Sequence, residues 1–239
     1  MNLDSKQVET TNAQTQRLAA LGFMLAGVCH EVSNPLAAVH SMLQILQSKR
    51  GITPETMEKG LASMSANIAR VLEITRKLGD FSRVGADPPA PVDVDAAMEE
   101  AISLLRLSAC GAGVRVDYRG APEARVLARP GNVQQILSNI LLNAAQAMAG
   151  AGAIEAHARP TEDGKIVLSI RDGGPGIAED CLPHVFEPFF TTKPPGEGIG
   201  LGLAISYEIA HELGGAIRAF NPPEGGACFE LVLPLATSP

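Results

Sequence analysis

The chain has 239 residues and a formal net charge of −7, and hydrophobic residues make up 46% of it. This length fits one large or two ordinary globular domains, and the acidic balance argues against a nucleic-acid partner. No apolar run is long enough to cross a bilayer, and the polar start, residues 1–16, does not have the pattern of a signal peptide. We therefore predict a cytoplasmic protein.

A heptad repeat of apolar residues predicts two packed helices over residues 17–83. Residues 48–54 separate them, since they carry a helix-ending glycine, a capping threonine and, at Pro54, a residue suited to a first helical turn. Two such helices make a poor core by themselves. We expect two copies of the hairpin to form a four-helix bundle in a homodimer.

The second half of the chain has a mixed pattern. Residues 84–91, VGADPPAP, contain three prolines and predict a short, stiff linker. From residue 92 to residue 236, strand-like alternation and helix-like periodicity follow one another, with the clearest helices predicted at 131–149 and 202–213. The balance predicts an α/β sandwich, in which helices cover one face of a mixed sheet.

The first helix carries a histidine away from its apolar seam. In the stretch CHEVSNPL, His30 occupies an f-type heptad position, and Asn34 lies one turn further along the same face. An ordinary imidazole has a pKa of about 6.5, so near pH 7 it is largely neutral and has one nitrogen free to attack. Glu31 could hold the N–H of the other ring nitrogen and stabilise the cation that forms on attack. An exposed histidine beside a solvated acid explains this stretch equally well.

Two amides share one face of the helix predicted at 131–149. Asn139 and Asn143 lie four residues apart, and their neighbours are apolar. Amide oxygens at this spacing suit a hard cation and phosphate-bound water. Helix capping or simple exposure to solvent is the alternative, but it fits poorly inside such an apolar helix, where each buried amide needs hydrogen-bond partners.

The segment RDGGPGI suits a flat ligand. Asp172 ends a predicted strand, where its carboxylate can accept a hydrogen bond from an exocyclic amine. Gly174 and Gly176 allow the backbone to come close to such a ligand. A simple turn is the alternative for this segment alone.

A glycine-rich segment suits phosphate. Three of the seven phenylalanines come just before Thr192 and Lys193, and they predict an apolar hinge beside a polar lid. Alternating glycines then precede a helix, whose free N–H groups and dipole favour an anion. These glycines are Gly196, Gly198, Gly200 and Gly202.

Taken together, these segments resemble the transmitter of a sensor histidine kinase of a two-component system, in order and spacing, from about residue 17 to residue 235. HEVSNPL resembles the phosphoacceptor box, NILLNAAQA the N box, DGGPGI the first glycine box, FEPFFTTK the F box, and GEGIGLGL the second glycine box. The forms of HEVSNPL and FEPFFTTK are most similar to the branch that contains the nitrogen-regulatory and dicarboxylate-sensing kinases.

The resemblance implies an α+β fold, with a dimeric helical hairpin that forms a four-helix bundle, followed by a Bergerat-type ATP-binding sandwich. It implies that His30 accepts the γ-phosphoryl group of ATP, that Glu31 activates the ring, and that Asn34 helps to position water for dephosphorylation of the partner. The partner implied is the receiver domain of a response regulator, whose aspartate takes the phosphoryl group.

The resemblance also assigns the nucleotide contacts. Asn143 would ligate Mg²⁺, with Asn139 close by on the phosphate side, and Asp172 would read the adenine amine. Thr192, Lys193 and the six glycines named above would bind the nucleotide and shape its lid.

The sequence departs from the family pattern in two ways. Ile199 stands where many members have Thr or Ser, so we expect altered nucleotide affinity. Residues 1–16 are too few for a sensor domain, so either a separate protein senses the signal or the chain is a fragment of a longer kinase.

Two other functions stay open from the sequence. One is a different ATPase with the same sandwich, such as a serine kinase or a conformational ATPase, and the histidine on a heptad helix argues against it. The other is a non-catalytic dimeric scaffold with a decayed sandwich, and the intact Asn143 and Asp172 argue against that.

Overall fold

The computed structural model describes residues 32–48, 53–82, 88–129, 131–194, 198 and 200–236. The chain divides into two compact units, and the second begins at Ser82. The first unit contains a helical hairpin, and the second contains helices and strands. The helical hairpin followed by an α/β sandwich is the fold that the sequence predicts.

The hairpin consists of helix α1, helical over residues 32–47, and helix α2, Pro54–Ser82. The backbone N–H of Thr56 donates to Oγ1 of Thr53 over 3.1 Å, so Thr53 caps α2 and the predicted start at Pro54 is confirmed. The two helices come close at Gly60, where a Cβ atom would lie 3.1 Å from Sδ of Met42.

In the single chain, the hairpin leaves a stripe of large apolar side chains exposed. Leu61 and Leu72 on α2 are 53% and 65% exposed, whereas Gly60 on the same helix is buried. The other exposed members of the stripe are Leu36, Leu43, Met57 and Ile68. This many large apolar side chains exposed on one hairpin is typical of an interaction site.

The second unit alternates strands and helices. Its strands are β1 Ala90–Asp93, β2 Gly113–Arg119, β3 Arg125–Ala128, β4 Ala151–Pro160, β5 Lys165–Asp172, β6 Ala216–Phe220 and β7 Cys228–Pro234. Its helices are α3 Val94–Leu107, α4 Asn132–Ala147 and α5 Gly202–Glu212, with a 3₁₀ turn at Leu182–His184. Since β1 begins at Ala90, the last two residues of the predicted linker are strand residues, and Pro91 is tolerated there because β1 pairs only with β3.

The main sheet has the strand order β2-β4-β5-β7-β6, with β2 parallel to β4 and the other neighbours antiparallel. Alternate residues of the central strands are buried, and Leu168 of β5 lies opposite Leu231 of β7 on that face. Helix α4 packs between α3 and α5, and its largest fully buried side chains are Ile136, Leu137, Ile140 and Leu141. The predicted arrangement of helices on one face of a mixed sheet is therefore confirmed.

A polar contact ties the start of α3 to the loop after β2. The hydroxyl of Tyr118 donates to Oδ1 of Asp95, and the backbone N–H of Ala121 donates to the same oxygen over 3.0 Å. Burial raises the pKa of Tyr118 well above its usual range, and the hydrogen bond to Asp95 raises it further.

Candidate functional site

The carboxylate of Asp172 lies at the end of β5, on the same face as the buried Ile170, and its residue is only 3% exposed. Oδ1 accepts hydrogen bonds from the backbone N–H groups of Gly174, over 2.9 Å, and Ala227, over 3.2 Å. In the part of the chain that the structure describes, no hydrogen bond reaches Oδ2. One oxygen is therefore fixed by the backbone, and the other can accept a hydrogen bond from a ligand.

The turn after Asp172 requires its glycines. A Cβ atom on Gly174 would lie 2.9 Å from Oδ1 of Asp172 and 3.5 Å from Cβ of Ala147 on α4. Gly176 has a φ of 82°, in the left-handed region that side chains disfavour. Both glycines are therefore needed for the turn to pack against the rest of the sandwich, and the approach of a flat ligand to this backbone stays a prediction.

The sequence did not single out the loop at residues 221–227, which holds this turn in place by hydrogen bonds. The side-chain amide of Asn221 forms two hydrogen bonds with the backbone of Ile177, at 2.9 and 2.6 Å. Gly226 and Ala227 follow in the same loop and contact Asp172. In the sequence, the turn-rich stretch NPPEGGA lies between two strand patterns and predicts a hairpin loop. It does not indicate which part of the protein this loop would contact.

Asn139 and Asn143, the two amides of α4 that the sequence singled out, are half-buried. Nδ2 of Asn139 donates to the carbonyl oxygen of Gly202 over 2.9 Å and lies 3.2 Å from Oγ of Ser206, both on α5. Ser206 is fully buried, and its hydroxyl donates to the same Gly202 carbonyl over 2.9 Å. The amide nitrogen of Asn139 thus anchors the first turn of α5, and Ser206, which the sequence did not single out, shares that role.

Asn143 lies one turn beyond Asn139 on the same helix and has an interaction of its own within the protein. One further turn along, Ala147 approaches Gly174. Helix α4 therefore connects the start of α5 at one end of this stretch with the Asp172 turn at the other. Asn143 occupies the position between them.

The phenylalanine-rich segment joins the two ends of the predicted lid. The backbone N–H of Phe189 donates to the carbonyl oxygen of Gly200 over 2.9 Å. Both residues have left-handed backbones, with φ of 66° and 68°, and a Cβ on Gly200 would lie 2.5 Å from the carbonyl carbon of Phe189. Phe186 packs against Tyr207 and Phe229, with ring centroids 5.6 and 6.4 Å apart, which fixes the hinge to the core.

The structure describes only some of the residues predicted to form the lid. Thr192 is exposed, and Lys193 is half-buried and has a partner within the protein. Gly198 and Gly200 are half-buried, and Gly202 is the first residue of α5. Gly196 and Ile199 lie outside the described residues.

The predicted phosphoacceptor, His30, and its neighbour Glu31 also lie outside the described residues. Asn34 is exposed on α1. None of the helices within the described ranges is both long and apolar enough to cross a membrane.

Two family models match the chain, one after the other. Residues 20–87 match the His Kinase A (phospho-acceptor) domain. Residues 128–237 match the histidine kinase-, DNA gyrase B- and HSP90-like ATPase family. The first range includes the HEVSNPL stretch, and the second includes the amides of α4 and the Asp172 turn.

Curated relatives match over nearly the whole chain. The chain is 34% identical to the signal transduction histidine-protein kinase AtoS of Escherichia coli, over 96% of the chain and 37% of that protein. It is 34% identical to the C4-dicarboxylate transport sensor protein DctB of Pseudomonas aeruginosa, over 92% of the chain and 37% of that protein. Sensor histidine kinase ZraS of Klebsiella oxytoca is 29% identical, and the chain spans 49% of it. The chain therefore spans less than half the length of these relatives.

Solved structures share the fold of both units. Histidine kinase ThkA, in complex with the response regulator protein TrrA, matches with a TM-score of 0.75 and 25% identity, over 96% of this chain and 66% of that chain. Full-length ShkA in complex with AMPPNP matches with a TM-score of 0.63 and 30% identity, over 90% of this chain and 46% of that chain.

Proposed function

Because the chain belongs to the sensor histidine kinases, we propose that it is an ATP-dependent protein-histidine kinase that autophosphorylates on His30. The phosphoryl group then passes to an aspartate of a response regulator, and Asn34, exposed on α1, is suited to helping water to dephosphorylate that partner. The observation that carries this proposal is the buried carboxylate of Asp172, which the backbone holds at one oxygen only.

The fixed carboxylate supports adenine as the base. Oδ2 of Asp172 would accept a hydrogen bond from the exocyclic amine of adenine, whereas guanine presents a carbonyl oxygen at that position. Once a base covers Oδ2, leaving this carboxylate oxygen without a donor would be costly, so a base with an amine at that position is preferred. The backbone of Gly174 and Gly176 would lie along the base, because these glycines let the turn pack closely beside Asp172.

We assign Mg²⁺ to Asn143. An amide oxygen is a suitable ligand for this hard cation, and Mg²⁺ is commonly held by few protein groups together with substrate phosphates. When bound, Mg²⁺ would neutralise charge on the phosphates during transfer.

The phosphates would lie at the glycine-rich lid and the start of α5. Backbone N–H groups at Gly196, Gly198, Gly200 and Gly202 would bind phosphate oxygens, since a helix N-terminus favours an anion. Thr192 and Lys193, at the beginning of the lid, would contribute a hydroxyl and a positive charge. Asn139 acts on the same region through its hydrogen bond to the Gly202 carbonyl.

The transfer itself needs a nucleophile and an acceptor for charge. A ring nitrogen of His30 attacks the γ-phosphorus, the bond from that phosphorus to the bridging oxygen breaks, and ADP leaves. Glu31 stabilises the imidazolium that forms. We assign the acceptor to the hairpin domain, residues 17–83, and the ATP site to residues 92–236. The linker before β1 would then let one domain reach the other, which is a step open to regulation.

The partners follow from the surfaces and the relatives. The exposed apolar stripe on the hairpin supports a homodimer, in which two hairpins form a four-helix bundle. The complex of ThkA with TrrA supports a response regulator as the phosphoryl acceptor. ATP as the donor supports a cytoplasmic site of action, and we propose a sensor in a separate protein or in a longer form of the chain.

Chemical stability of the product tests the function. The purified chain is incubated with Mg²⁺ and γ-labelled ATP, and the label is followed in acid and in base. Phosphohistidine is labile in acid and stable in base, and we expect that behaviour. Acid-stable label would indicate a serine kinase, hydrolysis without label would indicate a conformational ATPase, and a chain that binds no ATP would indicate a scaffold.

A further inference from the structure

The loop between β6 and β7, residues 221–227, belongs to none of the motifs that the sequence singles out. It nevertheless contacts both flanks of the turn that carries Asp172 and Gly176. This loop, called here the β6–β7 loop, has three separate attachments to that turn and to the strand before it.

The first attachment is a reciprocal pair of hydrogen bonds. The backbone N–H of Ile177 donates to Oδ1 of Asn221 over 2.9 Å, and Nδ2 of Asn221 donates to the carbonyl oxygen of Ile177 over 2.6 Å. One amide therefore satisfies both polar groups of a single residue. A Cβ atom on Gly176 would lie 3.1 Å from the same Oδ1, so Asn221 packs directly beneath the turn.

The second attachment is to Asp172 itself. Its backbone N–H donates to the Ala227 carbonyl over 3.0 Å, and the Ala227 N–H donates to the carboxylate over 3.2 Å. A Cβ atom on Gly226 would lie 1.8 Å from the Asp172 carbonyl oxygen, so only glycine permits this approach. The loop thus sets the orientation of the carboxylate from one side.

The third attachment keeps the loop itself in place. Nε and Nη2 of Arg171 donate to the carbonyl oxygens of Gly225 and Glu224, each over 3.1 Å. Nη1 of Arg171 also lies 3.6 Å from a carboxylate oxygen of Glu155 on β4. The loop is therefore connected to the sheet by a side chain that is itself oriented by an ion pair.

Residues 173–178 form no helix or strand. The N–H groups of Gly173 and Gly174 hold the start of this turn, through the Ala153 carbonyl and the Asp172 carboxylate, whereas the side chain of Asn221 holds Ile177. We infer that Asn221 is a positioning residue for the adenine base, which holds the Gly176–Ile177 backbone in the conformation that receives it. This inference rests on the proposed function. Without Asn221, binding of the base would have to order the turn, and part of the affinity would be lost.

The test compares two ligands on the full chain in the presence of Mg²⁺. ATP contacts both the base site and the phosphate site, whereas tripolyphosphate lacks the base. Asn221→Ala should weaken ATP binding about three- to tenfold, the effect of one or two hydrogen bonds at an exposed position, and leave the dissociation constant of tripolyphosphate unchanged. Asn221→Asp keeps the acceptor for the Ile177 N–H but places a carboxylate oxygen against the Ile177 carbonyl, so it should lose at least as much ATP affinity as Asn221→Ala.

Glu224→Ala is the matched control. Glu224 is exposed in the same loop and contributes only its carbonyl oxygen to Arg171, so this variant should bind both ligands like the parent. Equal losses for ATP and tripolyphosphate in Asn221→Ala, or no loss for ATP, would overturn the role of Asn221. A parent chain that binds no ATP would overturn the proposed function and this inference with it.

Discussion

Both units of the molecule contain helices rich in aliphatic residues, but the two differ in how far they bury these side chains. Helix α4 of the sandwich buries Ile136, Leu137, Ile140 and Leu141 completely, because a sheet and two helices surround it. Helix α2 of the hairpin leaves large apolar side chains such as Leu61 half or more exposed. An apolar helical periodicity therefore shows that a face will be covered, but not whether the cover comes from the same chain.

This difference in burial fits different roles for the two units. The sandwich closes its core within one chain, and our proposal assigns the acceptor for a base to Asp172, whose Oδ1 the backbone holds. The hairpin leaves a surface for a second copy, and our proposal assigns the nucleophile to it. A substitution in the first unit should act at any protein concentration, whereas a substitution on the exposed stripe should act through association.

The largest effect should come from removing core volume in the sandwich. Leu141→Ala leaves a cavity beside a fully buried helix, so we expect the free energy of unfolding to fall by about 2–5 kcal/mol. Urea unfolding, followed by circular dichroism at two protein concentrations, should give the same loss at both.

Leu61→Ala on the hairpin is the matched variant. Its effect should grow as the chain is diluted, because the lost contact lies between two copies, and sedimentation should show a weaker dimer. A loss in Leu61→Ala that does not change with concentration would contradict the idea that a second copy covers this stripe.

A smaller effect is expected within the polar part of the sandwich. Asn139→Ala removes the donor to Gly202, but Ser206 still donates to the same carbonyl, so we expect a loss of about 1 kcal/mol in the free energy of unfolding. Nucleotide binding should weaken because the first turn of α5 is less fixed, with its dependence on Mg²⁺ concentration retained. Asn143→Ala serves as the comparison, since it should abolish the Mg²⁺ dependence. If both variants changed the Mg²⁺ dependence of nucleotide binding in the same way, Asn139 could not be distinguished as an anchor of α5 from Asn143 as a metal ligand.

An effect on stability no larger than that of Asn139→Ala should come from Tyr118→Phe, which removes a hydrogen bond to Asp95 and should cost about 1 kcal/mol at pH 8. The folded state raises the pKa of Tyr118 above the ordinary value of 10.0, so its contribution is complete below about pH 10 and is lost as the pH rises further. The stability difference between parent and variant should therefore shrink between pH 8 and pH 11. A difference that stays constant over that range would contradict the assigned contact.

Local patterns were sufficient to predict most of the fold. The alternation in KIVLSI predicts a strand that ends at the carboxylate, and β5 ends at Asp172. The residues around Pro54 predict the start of α2, because capping chemistry is local. The strand at Ala90 was harder to recognise, since prolines in a short segment are more typical of a linker than of a strand paired on one side.

Contacts between distant residues could not be predicted in the same way. Asn139 reaches α5 across 63 positions, and Asn221 reaches the Asp172 turn across 44 positions. Each depends on how helices and loops pack in three dimensions, and a single sequence carries no periodic signal for such a pair. The sequence singled out Asp172 as an acceptor, while the groups that hold it, at Ala227 and Gly226, appeared only in the structure.

The most direct test of the account measures ATP affinity and acid-labile phosphate together in the parent, His30→Ala and Asp172→Asn chains. We expect His30→Ala to bind ATP like the parent and to carry no label. Asp172→Asn should bind ATP at least tenfold more weakly, because it replaces a charged acceptor with an amide, and should label poorly. Acid-labile label on the His30→Ala chain, or undiminished ATP affinity in Asp172→Asn, would contradict the assignment of the acceptor to the hairpin and of the nucleotide to the sandwich.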